Sequence, residues 1–271
     1  MISSPATAQA GSSPGTRRLF ALSDLHLSHA RPKPMDVFGP LWHDHARQIA
    51  NNWCRLVGPR DVVLVAGDIS WALRLEDALA DLEWLATLPG EKVIVRGNHD
   101  YWWSSLGKLN ALGLSGLHFI QNNHCRFGSL AVAGSRLWDF PGISWPAGVV
   151  PGLEPAGESP RLSPEEDDEK IRRREVERLT LSLRSLPPDA SLRVVMTHYP
   201  PLGEDGEPTP LTDLINRFQP NFCVFGHIHG QNQSGQPRPG EDRVLGKTRY
   251  CLTSTDHLGH TPLFLGDITP G

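Results

Sequence analysis

Apolar, β-branched runs alternate with amphipathic stretches over the first part of the chain. Strands are predicted at residues 18–23, 61–66 and 92–96, with helices between them at 41–57 and 75–88. This βαβαβ order predicts parallel strands joined by right-handed crossovers. Because the strands are apolar at odd and even positions alike, we expect both faces of the sheet to be covered.

Beyond residue 117 the predicted strands become shorter and more closely spaced. Candidates at 118–120, 125–127 and 130–133 are separated by turn residues, which is typical of a meander or hairpin. A helix start is predicted at Ser163, Pro164 and Glu166, which supply an N-cap, a first-turn proline and a capping box. The arginines that follow at 172–174 are interpreted as part of a solvated helix face. Further strands are predicted at 192–197, 222–225, 248–252 and 262–266. Gly/Pro-rich loops are predicted at 134–161 and 231–241.

The length of 271 residues fits one large α/β domain, predicted at 17–271. Residues 1–16 are rich in Ser, Ala, Gly and Pro and predict a disordered tail. The net charge of −4 argues against a protein that coats nucleic acid, although it does not exclude a nuclease.

The four cysteines form no CxxC pair, and we expect free thiols in a reducing compartment: Cys54, Cys125, Cys223 and Cys251. The N-terminal segment lacks the apolar core of a signal peptide, and no stretch reaches the roughly 18 apolar residues of a membrane span. A cytoplasmic protein without membrane association is therefore predicted.

Polar side chains suited to metal binding directly follow five of the apolar runs. They are Asp24 and His26, Asp68, Asn98 with His99 and Asp100, His198, and finally His227 and His229. Each motif alone is weak, because such residues also cap helices and form turns. Since the carboxyl ends of parallel strands converge on one edge of a sheet, the set as a whole predicts a shared site there.

The types of residue narrow the cofactor. Carboxylate, amide and imidazole ligands without thiolate suit Mn, Fe, Zn or Co. Seven candidate ligands exceed what one catalytic ion takes from protein, so two ions with one bridging carboxylate are predicted. Gly67, Gly97 and Gly226 would allow backbone and substrate phosphate to approach the ions closely.

From about Arg18 onward the chain resembles the calcineurin-like metallophosphoesterases, and all five motif positions are present. The resemblance implies an α/β fold, a four-layer α/β/β/α sandwich of two mixed sheets flanked by helices. It also implies the distribution of metal ligands: Asp24, His26 and His229 for one ion, Asn98, His198 and His227 for the other, and Asp68 between them.

The same resemblance implies that His99 contacts the scissile phosphate and assists the leaving group. Asp100 either orients His99 or is a turn residue. The protein Ser/Thr phosphatases carry an Asp and an Arg shortly after their Gly-Asp motif, whereas residues 69–73 here read Ile-Ser-Trp-Ala-Leu. The chain is therefore more similar to a bacterial branch of predicted phosphohydrolases.

Other candidates have simpler interpretations. Arg136 is predicted to bind substrate phosphate, with a surface salt bridge as the alternative. His43 and His45 are expected to be solvated or capping residues in a helix, and His257 or His260 could line a pocket. Trp42, Trp53 and Trp84 fit helical core faces, while Trp138 and Trp145 could stack on a ring or fasten the loop.

The leading hypothesis is a phosphohydrolase in which two cations share the attacking water and act on a small phosphodiester, phosphomonoester or nucleotide. The alternatives are a metal-dependent nuclease and a non-catalytic scaffold on the same fold. No Gly-X-Ser-X-Gly motif or Walker loop competes with the metal site.

Overall fold

The computed structural model describes residues 16–140, 150–151, 165–203, 206–230 and 242–270. All but the last residue of the predicted tail at 1–16 lies outside these ranges. So do the predicted loop at 231–241, most of the loop at 134–161, Trp145, and the predicted helix start at Ser163 and Pro164. Among the described helices, none has the length and apolar character needed to cross a bilayer.

The described strands and helices include the predicted ones in their predicted order, together with short elements that were not predicted. The strands are β1 (Arg17–Ala21), β2 (Val62–Val65), β3 (Glu91–Ile94), β4 (Leu117–Phe119), β5 (His124–Phe127), β6 (Leu130–Ser135), β7 (Val150–Pro151), β8 (Leu192–Thr197), β9 (Phe222–Phe225), β10 (Ile228–His229), β11 (Arg243–Leu245), β12 (Thr248–Leu252) and β13 (Leu263–Ile268). The α-helices are α1 (His45–Leu56), α2 (Leu75–Thr87), α3 (Leu106–Asn110), α4 (Glu165–Arg184) and α5 (Pro210–Asn216).

Two mixed sheets contain most of these strands. The first has the order β13-β1-β2-β3-β4, in which β1 to β4 are parallel and β13 is antiparallel to β1. The second has the order β11-β12-β9-β8-β6-β5, with four parallel inner strands and an antiparallel strand at each edge. The predicted parallel arrangement of the first three strands is confirmed. Of the short strands after residue 117, β5 and β6 form a hairpin, whereas β4 extends the first sheet.

The two sheets face each other across an apolar core. Leu19, Leu64 and Val93 point inward from the first sheet, and Val132 and Val194 from the second. Neighbouring residues of the same strands point outward to the helices, because successive side chains alternate between the two faces of a sheet. The outer face of the first sheet packs against α1, α2 and α3, and that of the second against α4 and α5. The fold is therefore the predicted four-layer α/β/β/α sandwich of two mixed sheets.

The first helix is shorter than predicted. Residues Met35–Phe38 and Pro40–Trp42 form 3-10 helices, and α1 begins only at His45. The break has a local cause, because His43 is extended and Asp44 adopts a left-handed conformation with φ of 50°. Trp42 therefore lies outside the α-helix, on a turn whose direction the helical pattern did not predict.

Candidate metal centre

The predicted ligands lie beyond the carboxyl ends of strands from both sheets. Asp24, Asp68 and Asn98 follow β1, β2 and β3 of the first sheet, while His198 and His227 follow β8 and β9 of the second. The expectation of a single sheet edge is thus corrected. Since the sheets face each other, their carboxyl ends together form one rim, and each sheet supplies part of the site.

One group of side chains comprises Asp24, His26 and His229. Their ligand atoms lie within 4.8 Å of one another, and all three residues are fully buried. The two Nε2 atoms of His26 and His229 are 3.2 Å apart, and Asp24 Oδ1 is 3.5 Å from His229 Nε2. Three donors at this spacing could hold one ion, and they are the three predicted for the first metal.

A second group lies next to the first. Ligand atoms of Asp24, Asp68 and His198 also fall within 4.8 Å of one another. Asn98 Oδ1 lies 2.6 Å from His198 Nε2 and 3.0 Å from His227 Nδ1. The structure therefore brings together Asn98, His198 and His227, the three residues predicted for the second metal.

Asp68 belongs to the second group and also approaches His26 of the first, while Asp24 belongs to both groups. The Oδ2 atom of Asp68 is 3.8 Å from His26 Nε2 and 3.4 Å from His198 Nε2, while Oδ1 accepts a hydrogen bond from the backbone N–H of His99. Among the described residues, Oδ2 has no hydrogen-bond partner although it is fully buried, and the same holds for Asp24 Oδ2. Burying an unpaired carboxylate oxygen is costly, and a cation removes this cost. The donor set therefore fits metal binding.

Two of the histidines are oriented by hydrogen bonds from their outer nitrogen atoms. His198 Nδ1 donates to the carbonyl oxygen of Ala66 over 2.9 Å, and His229 Nδ1 donates to Asp256 Oδ1 over 3.0 Å. Each bond leaves Nε2 as the atom that faces the site. Metal-binding histidines usually have such an outer partner, which sets the tautomer and the direction of the ring.

Asp256 did not appear among the predicted site residues. Besides the bond from His229, its Oδ2 atom accepts the backbone N–H of Gly230 over 2.9 Å. It follows β12, another parallel strand of the second sheet, and therefore obeys the same positional rule as the predicted ligands. That rule could have identified it from the sequence. It was missed because the Ser-Thr-Asp segment after this strand contains no recognised motif.

The backbone is strained at several of the predicted ligands. Asp24, His26, Asp68 and His227 have φ angles of 59°, 47°, 53° and 72°. Residues other than glycine rarely adopt this left-handed conformation, and each instance costs on the order of 1 kcal/mol. Such strain is typical of functional sites, where surrounding contacts hold a side chain in a required direction.

Two glycines make room for the carboxylates. A Cβ atom on Gly226 would overlap Asp24 Oδ2 and lie 2.7 Å from Ser23 Oγ, and one on Gly97 would overlap Asp68 Oδ1. The predicted need for small residues at these positions therefore has a specific reason. The space that a side chain would occupy is filled by the carboxyl groups themselves.

Burial sets the protonation of most of the histidines. It lowers the pKa of His26 and His198 well below the usual value and lowers that of His227 to about 3, so these imidazoles are neutral at pH 7. His229 differs: burial lowers its pKa, but the carboxylates of Asp256 and Asp24 outweigh this effect and raise the pKa to about 10. Neutral imidazoles can act as ligands directly, whereas His229 must release a proton when a cation binds.

His99 lies at the edge of the two groups. It is 5% exposed, and its Nε2 atom has no hydrogen-bond partner among the described residues. Its ring centroid is 5.7 Å from that of His26 and 4.3 Å from that of Trp71. Burial, followed by the charges of His229 and Lys33, lowers its pKa to about 3. A neutral imidazole with an unpaired nitrogen thus lies next to His26 and Trp71.

Asp100 connects two of the loops. Its carboxylate accepts backbone N–H groups from Asp68, Ile69 and Ser70 after β2, and from Gly97 after β3. The indole N–H of Trp102 is a fifth donor. Of the two predicted roles, these contacts correspond to the turn residue, here extended over two loops. They hold the Asp68 loop against the loop that contains Asn98 and His99.

Aromatic rings surround the histidines. Trp71 stacks on His26 with centroids 4.8 Å apart and planes at 24°, and Trp42 lies 5.8 Å from His26 and 5.7 Å from His229. Tyr199 lies 4.1 Å from His227. Trp42 is buried in a small core cluster with Met35, as a core residue should be, but it lies in a 3-10 helix in front of α1 and also contacts the site.

Two further tryptophans and two further histidines make contacts away from the candidate ligand atoms. Trp53 is buried, and Trp84 is partly buried, in the core beneath α1 and α2, as predicted. His45 is neither a solvated nor a capping residue, because its Nε2 bonds the carbonyl oxygens of Leu25 and His26. His260 is buried, and its Nε2 bonds the carbonyl oxygen of Leu41.

Arg136 takes part in a buried ion pair. Its guanidinium is 3.4 Å from Glu175 and 4.5 Å from the centre of the Trp138 ring. With 11% of the side chain exposed, the salt bridge is not the surface contact expected as the alternative to phosphate binding. Its backbone oxygen accepts the N–H groups of His198 and Tyr199, which ties this residue to the loop that follows β8.

The cysteines are free thiols, as expected. Cys223 and Cys251 are buried, Cys125 is partly buried and Cys54 is exposed. Burial raises the pKa of the Cys125 thiol to about 11 and that of Cys251 to about 12. Both are therefore protonated at neutral pH, which agrees with a packing role.

Comparisons with known proteins show what the chain is similar to. The sequence profile of the calcineurin-like phosphoesterases matches residues 17–231, a range that includes every predicted ligand from Asp24 to His229. The Gene 66 proteins of Mycobacterium phages D29 and L5 are 42% and 33% identical over 79 and 78 residues. Each match covers 29% of this chain and only 38% or 37% of the phage protein. The solved structure of TT1561 of Thermus thermophilus is 12% identical, with a TM-score of 0.48 over 93% of this chain and 99% of that one.

Proposed function

The chain belongs to the calcineurin-like phosphoesterase family, and on this premise we propose that it is a phosphohydrolase that depends on two metal ions. Its substrates are small phosphodiesters, phosphomonoesters or nucleotides. The observation that carries the proposal is the position of Asp68 Oδ2, a buried oxygen without a hydrogen-bond partner among the described residues, at 3.8 Å from His26 Nε2 and 3.4 Å from His198 Nε2.

The proposed ligands divide into two sets. Asp24, His26 and His229 would hold one ion, Asn98, His198 and His227 would hold the other, and Asp68 would contribute to both. When bound, two such ions supply Lewis-acid activation of water and phosphate near neutral pH. Mn, Fe, Zn and Co are the proposed metals, because oxygen and imidazole donors without thiolate suit them.

His99 is the proposed catalytic residue. Its unpartnered Nε2 is placed to contact a substrate phosphate at the rim and to give a proton to the leaving group. With a pKa of about 3 it is neutral at pH 7, where it can donate one hydrogen bond. The negative charge of a bound phosphate favours the protonated form and raises this pKa. Asp100 supports His99 indirectly, by holding the loop that contains it.

Arg136 is retained as a candidate for substrate binding. Its ion pair with Glu175 and its contact with Trp138 explain its position without a substrate. A guanidinium also matches the geometry of a phosphate, and the backbone of this residue is tied to the loop that contains His198. The substitution Arg136→Met separates the two roles.

The cell location and domain boundary are also proposals. We propose a cytoplasmic protein with one phosphoesterase domain over residues 17–271. The support is the set of free cysteines, which suits a reducing compartment, and the family match, which begins at residue 17. A nuclease is less well supported because the net charge is −4, and a scaffold is less well supported because all seven proposed ligands are present.

One panel of assays tests the proposal. Purified protein is stripped of metal, reloaded with Mn, Fe, Zn or Co, and given phosphomonoester, phosphodiester and cyclic phosphate substrates. We expect turnover that requires metal and that Asp68→Asn abolishes, together with a bound-metal content that falls from two ions per chain. Turnover by the metal-free protein, or full activity of Asp68→Asn, would contradict the proposal.

A further inference from the structure

A cleft of about 400 Å³ opens beside the candidate metal centre. Trp71 forms part of its wall, and the same ring contacts His26 and His99 at centroid distances of 4.8 and 4.3 Å. The cleft therefore borders the site on the side of His99. This is the side on which the leaving group of the substrate lies, if His99 has the role proposed above.

The two acidic residues of the cleft are already engaged. Asp77 forms an ion pair with Arg31 at 3.3 Å. Asp81 is 1% exposed and accepts hydrogen bonds from the backbone N–H of His29 and from the hydroxyl of Ser70. Each carboxylate therefore has partners of its own, and Asp81 presents almost no surface to the cleft.

The cleft also contains two further cationic residues, Lys33 and Arg74. Lys33 Nζ lies 3.4 Å from the centre of the Trp71 ring, so the ring face that it covers is not available for stacking on a base. Two hydrogen bonds with Ser28 hold the loop that contains Lys33: the Lys33 N–H donates to Ser28 Oγ, and Ser28 Oγ donates to the Lys33 carbonyl oxygen. Arg74 directly precedes α2 and is exposed, and within the described parts of the chain its guanidinium has no ion-pair partner.

From this arrangement we infer that the cleft binds a second phosphoryl group, carried by the leaving group of the substrate. The inference rests on the proposed function and specifies its substrate class. Lys33 extends over the ring that touches His99, so its ammonium is placed to meet a phosphoryl group linked to the scissile one. The planar guanidinium of Arg74 can donate two hydrogen bonds to the oxygens of this second phosphoryl group. A substrate with a neutral leaving group uses neither cation.

The kinetic test compares ADP with AMP. Both present a terminal phosphoryl group, but the leaving group is anionic AMP in the first case and neutral adenosine in the second. Because a charge-assisted hydrogen bond is worth about a tenfold change, we expect kcat/KM to be at least about tenfold higher for ADP. Lys33→Met and Arg74→Met should each lower the ADP-to-AMP ratio about tenfold, and Lys33→Arg should retain it because the charge remains.

Lys108→Met is the matched control, since Lys108 is an exposed lysine on α3 and outside the cleft. It should leave the ratio and both rates unchanged. Thermal melting of every variant shows whether the fold is intact. Hydrolysis by the wild-type protein without preference for ADP overturns the inference but leaves the proposed function standing. If neither Lys33→Met nor Arg74→Met changes the ADP-to-AMP ratio of kcat/KM, the inference is likewise overturned and the proposed function still stands.

A binding measurement keeps the two proposals distinct. Metal-free protein in EDTA is titrated with inorganic pyrophosphate and with inorganic phosphate by calorimetry. We expect pyrophosphate to bind at least about tenfold more tightly, and Lys33→Met to remove the difference. If no metal restores hydrolysis but this preference is present, the proposed function is overturned and the cleft assignment is supported. If pyrophosphate binds no more tightly than phosphate, the cleft assignment is overturned.

Discussion

His229 donates a hydrogen bond from Nδ1 to the carboxylate of Asp256, over 3.0 Å and with both side chains buried. The two residues are 27 positions apart in sequence: His229 lies in β10, and Asp256 follows β12 of the second sheet. The bond aims His229 Nε2 at Asp24 and His26. Asp256 thereby positions a proposed ligand without being placed among the ligands itself.

The first prediction concerns this pair. Asp256→Asn should lower metal affinity or activity by about 10–100-fold. A neutral amide orients the His229 imidazole less well than a carboxylate, and it lacks the negative charge that makes this imidazole a stronger ligand. Metal titration and kcat measure the effect. Asp242→Asn is a matched control, since Asp242 pairs with Arg249 at the surface. Equal behaviour of the two variants would contradict the positioning role of Asp256.

The second prediction concerns the space beside Asp24. Gly226→Ala introduces a Cβ atom that overlaps Asp24 Oδ2, so the carboxylate must move away from His229. We expect a loss of bound metal and of turnover while the protein stays folded. Gly107→Ala is the control, because a Cβ atom there meets nothing within 4 Å. Normal metal content in Gly226→Ala would show that Asp24 is not held where the structure places it.

A substitution of His99 should lower the rate of catalysis without reducing metal binding. His99→Gln is expected to lower kcat by about 10²–10⁴-fold, which is the usual contribution of a general acid. Bound metal, measured by elemental analysis, should remain at the wild-type level, because His99 lies outside both proposed ligand sets. A parallel loss of metal and activity would instead make His99 a ligand.

Asp100 should contribute mainly to stability. Asp100→Asn replaces one carboxylate oxygen with an NH₂ group that faces backbone N–H donors, which should lower the free energy of unfolding by about 2–4 kcal/mol. Urea denaturation measures this change. Asp189→Asn, at an exposed ion pair with Arg126, should leave the denaturation midpoint at the wild-type value, because solvent screens this pair. An unchanged midpoint for Asp100→Asn would show that the two loops do not depend on this carboxylate.

Arg136 has two proposed roles that one variant distinguishes. If it binds substrate phosphate, Arg136→Met should raise KM or lower kcat, because methionine keeps much of the volume but removes the charge. If its role is confined to the pair with Glu175, kinetics should stay unchanged while the melting temperature falls. Steady-state kinetics and thermal melting of the same preparation decide between these outcomes.

Much of the first sheet could be predicted because its signals are local. Each of the strands β1, β2 and β3 is an apolar run followed at once by polar residues, and parallel order follows from the helices between them. The same rule located Asp24 and Asp68. Asp256 obeys it too, which shows that recognised motifs restricted the search more than the physical rule required.

Other features depended on what lies across the sandwich. Apolar residues on both faces of a strand show that both are buried, but they do not show whether a helix or a second sheet covers each face. Only the resemblance to a known family suggested the second sheet. Trp42 likewise contacts His26 because the chain turns at Asp44, and the periodicity of residues 41–57 carried no sign of that turn.

The sequence by itself therefore determined the parallel order of β1, β2 and β3 and the set of candidate ligand residues, since these depend on neighbours along the chain. Tertiary structure alone decided that two facing sheets form the rim, that Asp68 Oδ2 lies between His26 and His198, and that Lys33 covers Trp71. The physical reason is that these contacts join segments far apart in sequence. Their distances depend on how the layers pack, which no local pattern encodes.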